Sequence, residues 1–307
     1  MKGQELKFKG KEDLDIYYYK WDVAEEVEIK GVILILHGMA EHALRYDDLA
    51  NFLNEQGYIV YADDHRGHGK TGQEMGTMGH FGQGGWDLLV DDVYRLVEVI
   101  KSSHKDIPLI LFGHSMGSIL ARTCVSEYGS EFSGLILSGT SNGISPVTRK
   151  LGLGLAKIVA FFTGGKKKSP FLNKVSFGAY NDKFGNDTPY EWLSRDKEVI
   201  QDYMDDELCG FICTSGFYKD MLDGINRNAN KDNVKKVPKD LPIYIYSGDM
   251  DPVGNYKKDV EETYRLYKEI AGVEDVTLKF YKDGRHEMHN EINKAEVYED
   301  LARWLRR

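Results

Sequence analysis

Cysteine is scarce in this chain. Cys124, Cys209 and Cys213 are the three in 307 residues, so at most one internal disulfide can form and a small disulfide-stapled secreted scaffold is excluded. Long apolar runs are also missing: the greasiest stretch, LGLGLAKIVAFF at residues 151–162, has about 12 residues where a membrane-spanning helix needs about 20. The opening stretch MKGQELKFKGKEDLDIYYYK carries charge throughout and has no apolar segment followed by a small-residue cleavage site, so no signal peptide is read there. A reducing, cytoplasmic setting is the expectation.

Basic charge is short as well. Lys and Arg number 40 against 49 Asp and Glu, a net of -9, which argues against a nucleic acid as the main partner because phosphate binding needs a basic field. There is no G-x-G-x-x-G after the first buried strand and no Walker lysine-serine pair, which speaks against a nucleotide fold. His42, His65, His68 and His80 gather near Asp63 and Asp64 along the chain, but without the spacing of a structural zinc site or a metalloprotease helix. No metal and no cofactor is expected, and internal repeats and low-complexity tracts are absent.

What is present is a composition of 41% hydrophobic and 29% charged residues, suited to a large globular core. Continuous apolar runs at residues 32–36, 59–62, 109–112, 135–137, 243–246 and 276–281 predict buried strands, preceded by alternating strands nearer the N-terminus. Helical patterns intervene at residues 46–55, 86–101, 116–128, 257–270 and 295–305. Val93, Leu96, Val97 and Ile100 fall on one face of the second of these. The fold class is therefore α/β: a mostly parallel sheet flanked by helices. The rhythm stops between residues 141 and 240. An all-loop excursion of that length is unfavourable, so the division expected is a core of residues 1–140 and 241–307 with an inserted helical cap at 141–240. That cap should lie over the carboxyl edge of the sheet, where open α/β sheets place their ligands.

The chemistry starts at Gly113-His114-Ser115-Met116-Gly117. In a strand-turn-helix setting, small flanking residues let the two backbones approach and leave the Ser115 hydroxyl exposed at the helix start, as a nucleophile requires. A serine hydroxyl needs a base, and the base an orienting acid; in chain order these follow on later strand ends. SGDMDPV supplies Asp249 and Asp251, and GRHEMH supplies His286 and His289. Asp251, held by the proline after it, is favoured over Asp249, which could cap the turn instead. His286, directly after its strand and turn, is favoured over His289. Donors for a developing oxyanion are expected at the backbone N–H groups of Met116 and Met39. The two methionine side chains would line the acyl side of the pocket, with core packing as the alternative.

HGMAEHALRY at residues 37–46, YADDHRGHGKTG at 61–72, GHSMG at 113–117, SGDMDPV and GRHEMHNE together resemble the α/β-hydrolase superfamily. Within it the likeness is to the monoglyceride lipase and bacterial lysophospholipase group, which is serine aminopeptidase S33-like. The resemblance implies Ser115 as nucleophile, Asp251 as acid and His286 as base. It also implies a cap whose apolar segment contacts membranes transiently and guides a fatty chain. Residues 151–162 are the candidate here, with Leu151, Leu155 and Ile158 joining Gly38, Met39 and Met116 in substrate binding, and the basic run at Lys166, Lys167 and Lys168 beside them. A cap-core helix is the alternative. Ser118 departs from the group, which commonly has a glycine there; serine is small enough to fit. The function implied is hydrolysis of monoacylglycerols or lysophospholipid-like single-chain esters, without cofactor. The alternatives are a short-acyl or aryl carboxylesterase, an aminopeptidase using a cap acid such as Asp205, Asp206 or Glu207, and a noncatalytic ligand receptor.

Overall fold

The computed structural model describes residues 2–142 and 146–307. Its strands are β1 (Gln4–Lys9), β2 (Asp15–Trp21), β3 (Gly31–Leu36), β4 (Tyr58–Asp63), β5 (Leu109–His114), β6 (Gly134–Ser138), β7 (Ile243–Gly248) and β8 (Val276–Tyr281). They form one sheet in the order β1-β2-β4-β3-β5-β6-β7-β8. β2 runs antiparallel to both β1 and β4, and all pairings from β4 to β8 are parallel. The helices are α1 (Asp47–Glu55), α2 (Gly69–Glu74), α3 (Trp86–Ser103), α4 (Met116–Tyr128), α5 (Pro146–Thr163), α6 (Pro170–Phe177), α7 (Lys197–Asp205), α8 (Ser215–Ala229), α9 (Lys231–Val234), α10 (Lys258–Arg265) and α11 (Lys294–Leu305).

Alternation along the central strands divides the interior in two. Val32, Leu34 and Leu36 join the core beneath α3, α4 and α8, whereas Ile33 and Ile35 face the other core, beneath α1 and α11. Strands buried on both faces are apolar over most of their length, which is why β3 to β7 carry unbroken apolar runs up to the polar residues at the carboxyl ends of β4 to β7. β8 differs: only Tyr281 is buried and its other residues are half-exposed, because an edge strand has a single neighbour. The helix expected at 257–270 is also divided, with α10 ending at Arg265 and a π-helical turn continuing to Ala271.

The excursion between β6 and β7 is helical, and part of the expected cap, residues 143–145, lies outside the described residues. α8 packs directly on the core: Asn228 donates from Nδ2 to the Ile119 carbonyl at 2.6 Å and accepts at Oδ1 from Thr123 Oγ1 at 3.1 Å. The boundary expected at 240 therefore includes a helix held by the sheet's own layer. A parallel crossover from β6 to β7 must supply such a covering helix, and α8 is it. Among the described residues, no helix is long and apolar enough to cross a membrane.

Where β5 turns into α4, close approach demands glycine. A Cβ on Gly117 would stand 2.0 Å from the Leu36 carbonyl oxygen, a backbone atom that cannot swing aside. Gly117→Ala is expected to cost on the order of 1–3 kcal/mol of stability, as overpacking does, and to misplace the neighbouring serine. Urea unfolding alongside ester turnover checks both effects; wild-type values of each would contradict this tight contact.

Candidate active site

Ser115 sits between β5 and α4 at φ 52° and ψ -119°, a strained conformation for a residue with a Cβ. Its N–H donates to the Ser138 carbonyl at the end of β6, 3.0 Å away. Its carbonyl accepts from Ser118 Oγ at 2.6 Å, so the serine that departs from the family pattern adds a bond to the turn. The Ser115 side chain reaches a cavity of about 400 Å³ whose wall also holds Gly38, Met39 and His286.

His286 is buried, with its ring against Gly139, where a Cβ would stand 2.9 Å from Cε1. Its Nδ1 and Asp251 Oδ2 are 3.0 Å apart. Asp251 is wholly buried; its Oδ2 also accepts from Ser247 Oγ at 3.0 Å and its Oδ1 from the Val253 N–H at 2.9 Å. Burial pushes the imidazole pKa down, but the Asp251 charge and hydrogen bond outweigh it and the net direction is up. That is the electrostatic setting of a base that must stabilise its own protonated form. The structure thus brings Ser115, His286 and Asp251 to one place, and puts neither alternative there. Asp249 Oδ1 is buried without a partner. His289 is stacked on Tyr46 at 4.8 Å, and burial pushes its pKa down to about 3.

The expected substrate-binding residues separate. Gly38 and Met39 line the cavity; Met116, Leu151, Leu155 and Ile158 do not. The Met116 side chain is packed in the core beneath α4, which corrects the expectation that it faces acyl chains. Its backbone is the first residue of α4, where an N–H has no helical carbonyl to bond. α5 turns Ala156 inward and leaves Leu151 at 70% and Ile158 at 58% exposure, with Leu155 packed against the core edge. Leu151, Leu155 and Ile158 stand at i, i+4 and i+7 on one face of α5, and that face does not border the cavity. The cavity's apolar wall comes instead from Phe177, Tyr190, Trp192, Leu193 and Phe211. None of these was singled out for the site, because no local pattern aims them there.

A buried charge network was also missed. Arg45 pairs with Glu41 at 2.7 Å and with both oxygens of Glu287 at 2.7 Å, joining the loop after β3 to the loop after β8. Glu41 also accepts from Tyr46 Oη at 2.9 Å and from the Gly38 N–H. Burial pushes the Glu287 carboxyl up, but the Arg45 charge and hydrogen bonds hold it at about 2. The available signals were the i,i+4 spacing of Glu41 and Arg45 and the position of Glu287 directly after His286. As for metal, His42, Asp206 and Cys209 bring ligand atoms within 4.8 Å of one another. Two of them are already hydrogen-bonded, His42 Nε2 to Asp206 Oδ2 at 2.8 Å, and Cys209 is a buried free thiol beside them.

The family described as "Serine aminopeptidase, S33" matches residues 27–293. The monoacylglycerol lipase of Mycolicibacterium smegmatis is 28% identical, over 98% of this chain and 96% of that one. The human monoglyceride lipase is 27% identical, over 90% and 82%. Among solved structures, a thermostable carboxyl esterase from Bacillus coagulans in complex with glycerol superposes with a TM-score of 0.91 at 29% identity, covering 100% of this chain and 98% of that one. A lipase in an open form gives 0.86 at 28%, covering 98% and 97%.

Two outcomes are expected. Asp251→Asn should lower kcat/KM by roughly 10²- to 10⁴-fold, since the imidazole loses its orienting acceptor, whereas Asp249→Asn should cost less than about tenfold; the reverse ranking in folded proteins reassigns the acid. Because the folded Glu287 pKa lies below its ordinary value of 4.5, its pairing stabilises the fold above pH 4.5 and is lost as pH falls toward 2. Glu287→Gln should therefore be destabilised at pH 7, by about 3–5 kcal/mol if it acts as a broken buried pair, with the gap to wild type closing in acid. A gap that is constant with pH contradicts the pairing.

Proposed function

This chain belongs to the serine aminopeptidase S33 family of α/β-hydrolases and is a serine hydrolase of the monoacylglycerol lipase and esterase branch; from that premise we propose that it hydrolyses carboxylic esters of single-chain lipids, monoacylglycerols foremost. The observation that carries the reading is the strained Ser115 opening into a cavity with an aromatic wall beside the His286–Asp251 pair. His286 takes the Ser115 proton as Oγ attacks the ester carbonyl. The tetrahedral oxygen rests on the N–H groups of Met39 and Met116. The imidazolium protonates the departing alcohol, and water then repeats the path in reverse to free the acid.

An ester fits better than a peptide. A peptidase needs a carboxylate free to hold the substrate's amine, and the expected cap acids are elsewhere: Asp206 pairs with His42, and Asp205 and Glu207 are exposed and off the cavity wall. The acids on that wall, Glu41 and Glu287, are both engaged by Arg45. The aromatic side of the cavity suits an acyl chain, and its volume lies in the usual range for small-molecule sites. The buried free thiols Cys124, Cys209 and Cys213 suit a reducing compartment such as the cytoplasm.

Contact with a lipid surface is the finer part of the proposal. Ile158, Phe161 and Phe162 on α5, and Phe171 and Val175 on α6, are exposed, and Lys157, Lys166 and Lys167 are exposed beside them. An apolar face with flanking lysines can settle in an anionic interface.

Ser115→Ala is expected to abolish ester turnover and covalent capture by an organophosphonate while leaving the fold intact; hydrolysis at wild-type rates by the purified variant would refute the nucleophile. Replacing Ile158 and Phe162 with serine should leave the thermal midpoint nearly unchanged, because both are already exposed. It should also weaken binding to anionic vesicles by up to roughly 2–5 kcal/mol and slow long-chain substrates more than a soluble butyrate. Unchanged vesicle binding removes the membrane contact.

A further inference from the structure

We infer that Tyr203, together with the Gly210 amide, is a positioning group for the Met39 oxyanion donor, so that this donor is fully aligned only while the cap is seated. The inference rests on the proposed role of Met39. Tyr203 and Gly210 line the cavity, and the role assigned to them is exerted through the loop and not on the substrate's carbonyl.

Met39 lies between two held groups. On one side the Gly38 N–H donates to the Glu41 carboxylate, itself fixed by Arg45 and Tyr46. On the other, the Ala40 carbonyl accepts from the Gly210 N–H at 2.9 Å and from Tyr203 Oη at 3.0 Å, one donor for each lone pair. The first clamp belongs to the core and the second to the cap. Ala40 stands at φ 55°, a left-handed conformation that alanine seldom adopts unless its surroundings impose it. The two cap donors hold its carbonyl in that conformation.

Tyr203 is built for this task. It is buried, with the Arg45 guanidinium 4.8 Å over its ring and Tyr190 edge-on at 4.9 Å, so its hydroxyl is aimed by packing. Burial pushes that hydroxyl well above its ordinary pKa, and it remains a donor throughout the working range of an esterase. From the same cap segment, Asp206 pairs with His42 at 2.8 Å. Residues 203, 206 and 210 thus tie down residues 40 and 42. If the cap lifts, Ala40 loses both donors and its left-handed backbone is free to relax; the Gly38 carbonyl, on the same peptide as the Met39 N–H, keeps its 2.7 Å contact with His37 Nδ1, so the donor loses alignment and is not lost. Since an oxyanion exists only beyond the ground state, the loss should fall on kcat and not on KM.

The test is Tyr203→Phe, which removes the hydroxyl and keeps the ring, assayed on soluble nitrophenyl butyrate so that no lipid interface enters. The probe is an alkyl trifluoromethyl ketone: Ser115 Oγ adds to its carbonyl carbon, the serine proton passes to His286, and the oxygen is left as an alkoxide facing the donors. Expected are a fall in kcat of about five- to tenfold, as loss of one hydrogen bond implies, a KM within about twofold, and a rise in the ketone's Ki that matches the fall in kcat. The corresponding trifluoromethyl alcohol, which fills the cavity without forming an alkoxide, should bind as to wild type. Should the variant also lose thermal stability, the ratio of ketone to alcohol affinity decides: an unchanged ratio overturns the inference. Replacing the Met39 amide by a backbone ester separates the two levels. If that ester leaves ketone affinity intact, the donor reading itself fails. If the ester weakens the ketone and Tyr203→Phe does not, the positioning role alone is overturned.

Discussion

The guanidinium of Arg45, shared between Glu41 and Glu287, joins two loops that the sheet order keeps apart. β3 and β8 are separated by three strands, yet the segment carrying Met39 and the segment carrying His286 must meet at Ser115. A buried ion pair is a weak source of net stability, because desolvation offsets most of the attraction. What it supplies is a fixed geometry: a planar fork bonding both oxygens of Glu287 allows little rotation on either side. The two glutamate charges against one arginine also leave the neighbourhood negative, and both glutamates help raise the His286 pKa. One interaction therefore holds the base loop, holds the oxyanion loop and makes the imidazole a better proton acceptor.

Two strained backbone positions stand at the same point. Ser115 at φ 52° and Ala40 at φ 55° are both residues with a Cβ in the left-handed half of backbone space. Such conformations persist where surrounding contacts over-determine them. For Ser115 those contacts are the glycines of the turn and the bonds to Ser138 and Ser118; for Ala40 they come from across the cavity, in the cap. The cap also meets the base loop, since the His286 and Glu287 N–H groups donate to the carbonyls of Trp192 and Leu193 at 3.3 and 2.7 Å. It is thus hydrogen-bonded to the loops on both sides of the serine as well as roofing them.

How far this was readable from the chain follows from the range of each interaction. β3 to β7 announce themselves because burial on both faces selects apolar residues over three to five consecutive positions, with Asp63, His114, Ser138 and Ser247 confined to the carboxyl ends. The turn at Ser115 is a local pattern with a local cause. Asp251 and His286 are legible because a parallel sheet delivers its strand ends to one edge, so chain order stands in for proximity. The cavity's aromatic wall has no such proxy. Trp192 reaches His286 through an excursion whose path depends on contacts between distant residues, such as Tyr203 with Ala40 across 163 positions. The same holds for Arg45 and Glu287, 242 positions apart. The assignment of Leu151, Leu155 and Ile158 to the pocket failed for a related reason. Apolar character marks a face that can be buried or can bind lipid, and only the placement of α5 against α8 shows which face turns outward.

The central claim is that Ser115 carries the acyl group during turnover. Rapid quenching of the enzyme on a nitrophenyl ester, whose leaving group makes acylation fast, followed by peptide mass mapping, tests it directly. The expected result is a burst of nitrophenol equal to the enzyme present, with the acyl mass on the peptide containing Ser115 and decaying as free acid appears. A burst with Ser115 unmodified, or the acyl group on any other residue, would contradict the account.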